Sequence, residues 1–323
     1  MNSKVLKWKN GKAGVFYLAF DDSCVSQVDN AIPALIERGL IGTFYINPGT
    51  KAFADRRDAW ETWIPKADMV YGNHTFTHAG APGPEIFKDE LQRCQKALEL
   101  LLPNEKTPRL ISFARPGVPA EKWQITNAEK DQALIMHNLI QRPPYFGPPF
   151  NIRTRKQLIS VIDSAVNDGA LGHIDLHGVG GDWHIIDMDD YIAVLDKLAA
   201  NKENLWITDP LSYHKYMTER SAAIINDISP YIRPDNYPDL RFKQEISISL
   251  SCRSNSSLPG QELIPYHSTL YDMPLTLSTE VPISWETVKI SQNNQTTVQN
   301  VKNNTVCYNA LPDCGKILIQ PSS

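Results

Sequence analysis

The chain has 323 residues, 42% of them hydrophobic, enough apolar side chain for one large core or two ordinary ones. A formal net charge of −4, with no basic run, argues against a general nucleic-acid binder. No apolar stretch approaches the roughly 18 residues of a membrane span, and five cysteines without metal-finger spacing argue against zinc fingers and against a disulfide framework.

Up to about residue 220, short apolar runs alternate with helical patterns. Residues 15–20 read as a buried strand that ends in Asp21 and Asp22 where a turn glycine would be ordinary. A helix over 25–38 closes at Gly39, and strands follow at 42–46 and 68–71. Pro84 opens a helix to 102 with Ile86, Leu91, Leu98 and Leu101 on its apolar side. Strands are expected at 110–113 and 133–136, then a helix capped by Thr154 and running to 168. A strand at 171–176, a helix at 188–200, a strand at 205–208 and a helix at 211–225 complete this part. Seven strands alternating with helices predict a parallel sheet covered by helices, and favour a barrel over an open doubly wound sheet.

Beyond residue 225 helical patterns vanish and Ser, Thr, Asn and Pro multiply. Runs at 245–250, 275–279, 287–291, 296–301 and 316–319 alternate apolar and polar residues, as half-buried strands do. The expected organisation is α/β: a catalytic barrel over 1–225, a linker over 226–239, and a small β-sandwich-like accessory domain over 240–323. Residues 291–304 are polar enough for an exposed hairpin, and Cys307 and Cys314 flank a turn where pairing would need an oxidising compartment.

Two adjacent carboxylates at the end of a buried strand repel each other and require a compensating cation, a metal or an arginine. A helix cap accounts for Asp22 or Ser23 equally well taken alone. A second stretch, His74-Thr75-Phe76-Thr77-His78, places two imidazoles four residues apart, on one face of a helical turn, where both reach one cation. Asp21-Asp22, His74 and His78, Arg115 and His177 each follow an expected strand. In a parallel barrel all these ends share the C-terminal face, where such folds build their sites.

These stretches, with Arg115-Pro116-Gly117 and Leu176-His177, resemble in order the successive motifs of the polysaccharide deacetylases, the NodB-homology or carbohydrate esterase family 4 domain, over about 15–215. The resemblance implies a deformed (β/α)7 barrel that removes acetyl groups from sugars with a divalent metal. By position, Asp22, His74 and His78 would be the metal ligands, a set suited to Zn²⁺, with Co²⁺ or Ni²⁺ as possible replacements. Asp21 would be the general base, His177 the acid, and Arg115 the partner that keeps Asp21 ionised.

The chain departs from the family in three places. Ser23 stands where Gly is usual after the Asp pair, no Asp-Trp motif precedes His177, and Asp175 occupies a usually apolar position beside the acetyl pocket. Strand alternation puts His173, Asp175 and His177 on one face, so Asp175 is a candidate to orient His177. The glycine-rich 178–184 loop reads as shaped for substrate approach, with Trp183 and His184, and Tyr145 and Phe146 in a Pro-rich loop, as cleft-lining candidates. Cys24, beside the Asp pair, reads as a buried filler.

The partner implied is an acetylated oligo- or polysaccharide, N-acetyl as in chitin or peptidoglycan glycans or O-acetyl as in xylan. No nucleic acid and no membrane span are expected; the sequence is silent on oligomeric state. A cyclic amide or imide hydrolase on the same barrel, and a non-catalytic glycan-binding relative, are the alternative readings. The start, Met1-Asn2-Ser3-Lys4, does not read as a signal peptide. The β-rich tail favours a secreted or periplasmic protein and leaves a cytoplasmic one open.

Overall fold

A computed structural model describes residues 2–144, 154–231, 245–253 and 269–322. The expected cleft residues Tyr145 and Phe146 lie outside them. Chain contacts divide the protein into two compact units, 12–214 and a second formed by 2–11 with the described residues from 215 on.

The chain opens on strand β1 (Ser3–Val5), which belongs to the second unit. The first unit then lays down β2 (Gly14–Asp21), a helical stretch ending in α1 (Ile32–Glu37), β3 (Thr43–Ile46), and α2 (Lys51–Ala54) and α3 (Arg57–Thr62). Next come β4 (Val70–Asn73), α4 (Pro84–Leu101), β5 (Ile111–Phe113), α5 (Asn127–Met136) and β6 (Leu139–Gln141). It finishes with α6 (Arg155–Asn167), β7 (Leu171–Leu176), α7 (Met188–Ala200) and β8 (Leu205–Thr208).

The seven strands β2–β8 form one curled parallel sheet, in the order β6-β5-β4-β3-β2-β7 with β8 also on β2. Among the described residues β6 and β7 do not pair, so the barrel is open on that side. β2 is buried on both faces, which is why it reads as an unbroken apolar run. Phe16, Leu18 and Phe20 join the helix-side core, whereas Tyr17 and Ala19 pack inside the curl with Tyr45. A Cβ on Gly72 of β4 would stand 2.4 Å from the Tyr45 ring, so only glycine leaves room for that interior tyrosine.

Register aligns the strand ends. Ile46 pairs with Asn73, Asn73 with Phe113, and Phe113 with Gln141, while Phe20 pairs with Leu176. The residues just beyond, Asn47, His74, Ala114, Arg142 and His177, therefore emerge in one row on the C-terminal face beside Asp21 and Asp22.

One expected strand is corrected. Residues 133–136 are the last turn of α5, because Thr126 and Glu129 form a reciprocal capping box that starts a helix at Asn127. The strand comes three residues later, as β6. On α4, Ile86 faces solvent and Phe87 takes the core position.

The second unit begins its main run in α8 (Pro210–Ala222) and continues as β9 (Ala223–Tyr231), β10 (Glu245–Cys252), β11 (Leu275–Glu280), β12 (Thr287–Gln292), β13 (Gln295–Asn300), β14 (Thr305–Ala310) and β15 (Ile317–Pro321). These strands make two antiparallel sheets, β1-β11-β14 and β13-β12-β15-β10-β9. Alternating side chains such as Ile246, Ile248 and Leu277 are buried between polar ones. The contact division falls at 214/215, earlier than the expected 225, and sends the chain's first residues to this unit because β1 pairs with β11. Part of the expected linker, 226–231, is strand β9, and the rest of it lies outside the described residues. The expected polar hairpin is β12–β13, turned by Asn293 and Asn294 at φ 49° and 62°. None of the five cysteines, all among the described residues, forms a disulfide.

Candidate metal centre

At the end of β2 the backbone turns sharply, with Asp22 at φ 76° and Ser23 at φ 53°, a left-handed pair that aspartate tolerates and glycine would adopt freely. The Ser23 hydroxyl accepts the Asn47 backbone N–H at 2.9 Å, which ties the turn to the end of β3. Gln27 donates its side-chain amide to the backbone carbonyls of both Asp21 (2.6 Å) and His177 (3.0 Å), joining the ends of β2 and β7.

The His74–His78 segment is not the helical turn its spacing suggests. Thr75 and His78 have φ of 64° and 60°, and the segment is an open loop. Three buried side chains hold it. Asn73 accepts from the Thr75 N–H, Asn47 donates to the carbonyls of His74 and Thr75, and Glu90 of α4 accepts from the backbone N–H (2.7 Å) and hydroxyl (2.9 Å) of Thr77. The loop brings Nε2 of His74 and Nε2 of His78 each to 3.1 Å from the same oxygen, Oδ1 of Asp22.

Asp22, His74 and His78 are the one group among the described residues whose donor atoms converge closely enough for a cation, all within 4.8 Å of one another. His74 Nδ1 lies 2.9 Å from the Ala114 carbonyl, which can only accept, so Nδ1 carries a proton. In the neutral ring Nε2 is then a lone pair aimed at a carboxylate, an arrangement that a divalent cation between them resolves. Two imidazole nitrogens and one carboxylate oxygen suit zinc, and the carbonyl behind His74 is the outer partner such ligands have.

Burial works to raise the Asp22 carboxyl, but hydrogen bonds and charge from His74 and His78 outweigh it and hold it well below the usual carboxylate range. Its other oxygen, Oδ2, accepts the indole N–H of Trp183 at 2.8 Å and lies 3.7 Å from Nε2 of His177. Burial lowers the His177 pKa, against the opposing charges of Asp21 and Asp22. Trp183 arrives on the 178–184 loop. That loop is folded onto the helical stretch after β2 by Asp182, which accepts the Ser26 N–H at 2.7 Å, and by Asn30, which donates to the Val179 carbonyl at 2.7 Å. A Cβ on Gly178 would stand 1.9 Å from the Gly181 carbonyl oxygen, so the loop's tight start requires glycine.

Two expected partnerships are corrected. Asp21 is paired with Arg142, not Arg115: the Arg142 guanidinium reaches its two oxygens at 2.7 and 3.2 Å. Arg115 instead sits over Trp123, its Cζ 4.1 Å from the ring centroid. Asp175 does not orient His177. It faces Arg142 at 3.5 Å and Nδ1 of His173 at 3.3 Å, because strand alternation points it into the curl while His177 lies beyond the strand. Burial would raise the Asp175 carboxyl, and Arg142 and His173 together lower it. Burial would likewise depress Arg142, but Asp175 and Asp21 hold it fully charged. Its guanidinium also sits 4.8 Å over the Tyr45 ring. Cys24 is a buried thiol raised first by desolvation and then by Asp22, and it is no part of the ligand group.

Asp21, Asp22, His74, His78, Arg115, His177, Trp183 and His184 all line one cleft of about 800 Å³. The ring of His184 lies 5.0 Å from that of His177. Arg142 is the site residue the sequence reading missed. It directly follows β6, so the strand-end rule that found the others reaches it once the strand is placed at 139–141.

Residues 9–156 match the family model described as polysaccharide deacetylase. No curated protein matches the chain. Among solved structures, a family 4 carbohydrate esterase from Streptomyces lividans in complex with acetate is similar at 20% identity and a TM-score of 0.43, over 60% of this chain and 91% of that one. The Xyl-CE4 domain of a multidomain xylanase from the hindgut metagenome of Trinervitermes trinervoides has 15% identity and a TM-score of 0.42, over 59% of this chain and 86% of that one. A CE4 family pseudoenzyme from Bacillus anthracis has 13% identity and a TM-score of 0.42, over 59% and 63%.

Proposed function

We propose, from the premise that residues 9–156 belong to the polysaccharide deacetylase family, that this chain hydrolyses acetyl groups from an acetylated carbohydrate with the help of a divalent metal. The observation that carries the reading is the convergence of Asp22, His74 and His78 beside Asp21 and His177 in one cleft. Asp22, His74 and His78 would hold the ion, zinc by their chemistry, with cobalt or nickel as replacements. What a divalent ion supplies at such a donor set is Lewis acidity, which polarises a carbonyl and acidifies water.

The chain's own groups divide the remaining work. Asp21 is the base that takes a proton from the attacking water, and Arg142 fixes its carboxylate in position through two hydrogen bonds. Each Asp21 oxygen still has a lone pair to offer after accepting from Arg142. His177, across the Asp22 carboxylate, gives a proton to the departing amine or alcohol. The β-rich second unit is an accessory domain, and the setting that fits a glycan substrate is secreted or periplasmic. Among the described residues no helix is long and apolar enough to cross a membrane.

The test is acetate release from chitin oligomers, peptidoglycan glycan fragments and acetylated xylan, with dihydrouracil-type cyclic amides alongside. Acetate from any of the glycans, lost in Asp21→Asn, supports the reading. Ring opening of the cyclic amide without acetate from any glycan refutes it.

A further inference from the structure

We propose that the glycan taken by this cleft carries a carboxylate group, and that Arg115 is the residue that recognises it. The inference rests on the deacetylase reading and narrows its substrate class. It starts from the charge on the cleft wall. Each carboxylate that lines the cleft already has a partner: Asp21 has Arg142, Asp22 has His74, His78 and Trp183, Asp55 has Lys51 at 2.5 Å, and Asp182 has the Ser26 N–H. Lys51 is thereby neutralised. Arg115 meets no carboxylate among the described residues, because the one it would have paired with is held by Arg142 from the neighbouring strand. It is the wall cation left without a counter-charge.

Its guanidinium is also held ready. It stacks at 4.1 Å on Trp123, whose ring packs edge-on against Phe87 at 5.3 Å. The backbone at Trp123 is bridged to Ala81, and Gln124 N–H donates to the Ala81 carbonyl at 2.8 Å. Stacking uses the flat face of the guanidinium and leaves its N–H edge free, the fork that matches a carboxylate with two parallel hydrogen bonds. An arginine fixed on a half-buried platform loses little further freedom when it binds. A neutral sugar leaves that edge to water, whereas a uronic-type sugar acid fills it.

The experiment compares acidic acetylated oligosaccharides with their own carboxyl-reduced forms: hyaluronan-type tetramers for N-acetyl, and glucuronic-acid-substituted acetylated xylo-oligomers for O-acetyl. Wild-type kcat/KM is expected to be at least tenfold higher for an acidic form than for its reduced counterpart. In Arg115→Gln the ratio is expected to fall close to one, and Arg115→Lys to recover part of it, with melting temperatures confirming folded protein. A wild-type ratio near one, or an unchanged ratio in Arg115→Gln, overturns the proposal. If no oligosaccharide releases acetate, the deacetylase reading fails. Calorimetric binding of the same acidic and reduced oligomers to wild type and Arg115→Gln then decides the role of Arg115 by itself, equal affinity for both forms counting against it.

Discussion

Arg142 donates to both oxygens of Asp21, at 2.7 and 3.2 Å, and stands 3.5 Å from Asp175, so one buried guanidinium neutralises two buried carboxylates. Removing it would leave two negative charges in the curl of the sheet, with only the His173 imidazole beside one of them, 3.3 Å from Asp175.

Arg142→Met is therefore expected to destabilise the first unit by about 3–5 kcal/mol, the usual cost of stranding a buried charge. Adding Asp175→Asn should recover part of that loss, since one of the two stranded charges is gone. Chemical denaturation of the single and double variants measures both. A single variant as stable as the wild type would show that the pair contributes nothing to the fold.

Trp183 occupies the second oxygen of Asp22 with its indole N–H, which leaves Oδ1 to face the two histidines. Trp183→Phe keeps the ring and deletes the hydrogen bond. Loss of such an outer partner costs about 10–100-fold in metal affinity. Chelator competition with Zn²⁺ is expected to show a drop of that size, and unchanged affinity would mean the indole does not position the carboxylate.

Glu219 in the second unit is almost fully buried, and desolvation raises its pKa to about 8 against the hydrogen bond from the Met273 N–H and the charge of Lys215. The folded protein thus holds a proton that the unfolded chain releases above its ordinary value of 4.5. Stability from this group is complete below 4.5 and falls as pH rises to about 8, by up to about 1.4 kcal/mol per pH unit. Glu219→Gln cannot ionise and keeps an acceptor for Met273. Melting temperatures between pH 5 and 8 are expected to fall less steeply in the variant than in the wild type. Parallel curves would remove Glu219 as the cause.

Much of this was legible beforehand because burial on both faces of a parallel sheet writes itself as apolar runs, and β2, β7 and β8 were placed within a residue or so. The convergence of Asp22, His74 and His78 was legible because these residues each follow a strand, a relation that does not depend on local conformation. The conformation itself was not. Four-residue spacing suggested a helical turn, yet tertiary hydrogen bonds from Asn47, Asn73 and Glu90 hold His74–His78 as a loop with two left-handed residues. Arg142 stays hidden in the sequence because the apolar 133–136 run reads as the strand that lies at Leu139–Gln141. Its capping box, Thr126 and Glu129, was the readable signal. That Trp183 reaches back to Asp22 across 161 residues could not be read from sequence, since it depends on how the glycine-rich loop folds.

The central claim is that Asp22, His74 and His78 hold one divalent ion. Elemental analysis of the purified protein after zinc loading and exhaustive dialysis tests it most directly. The account expects about one zinc per chain in the wild type and close to none in His78→Ala or Asp22→Ala, with both variants folded by circular dichroism. Wild-type protein that retains no ion, or ligand variants that retain as much as the wild type, would contradict it.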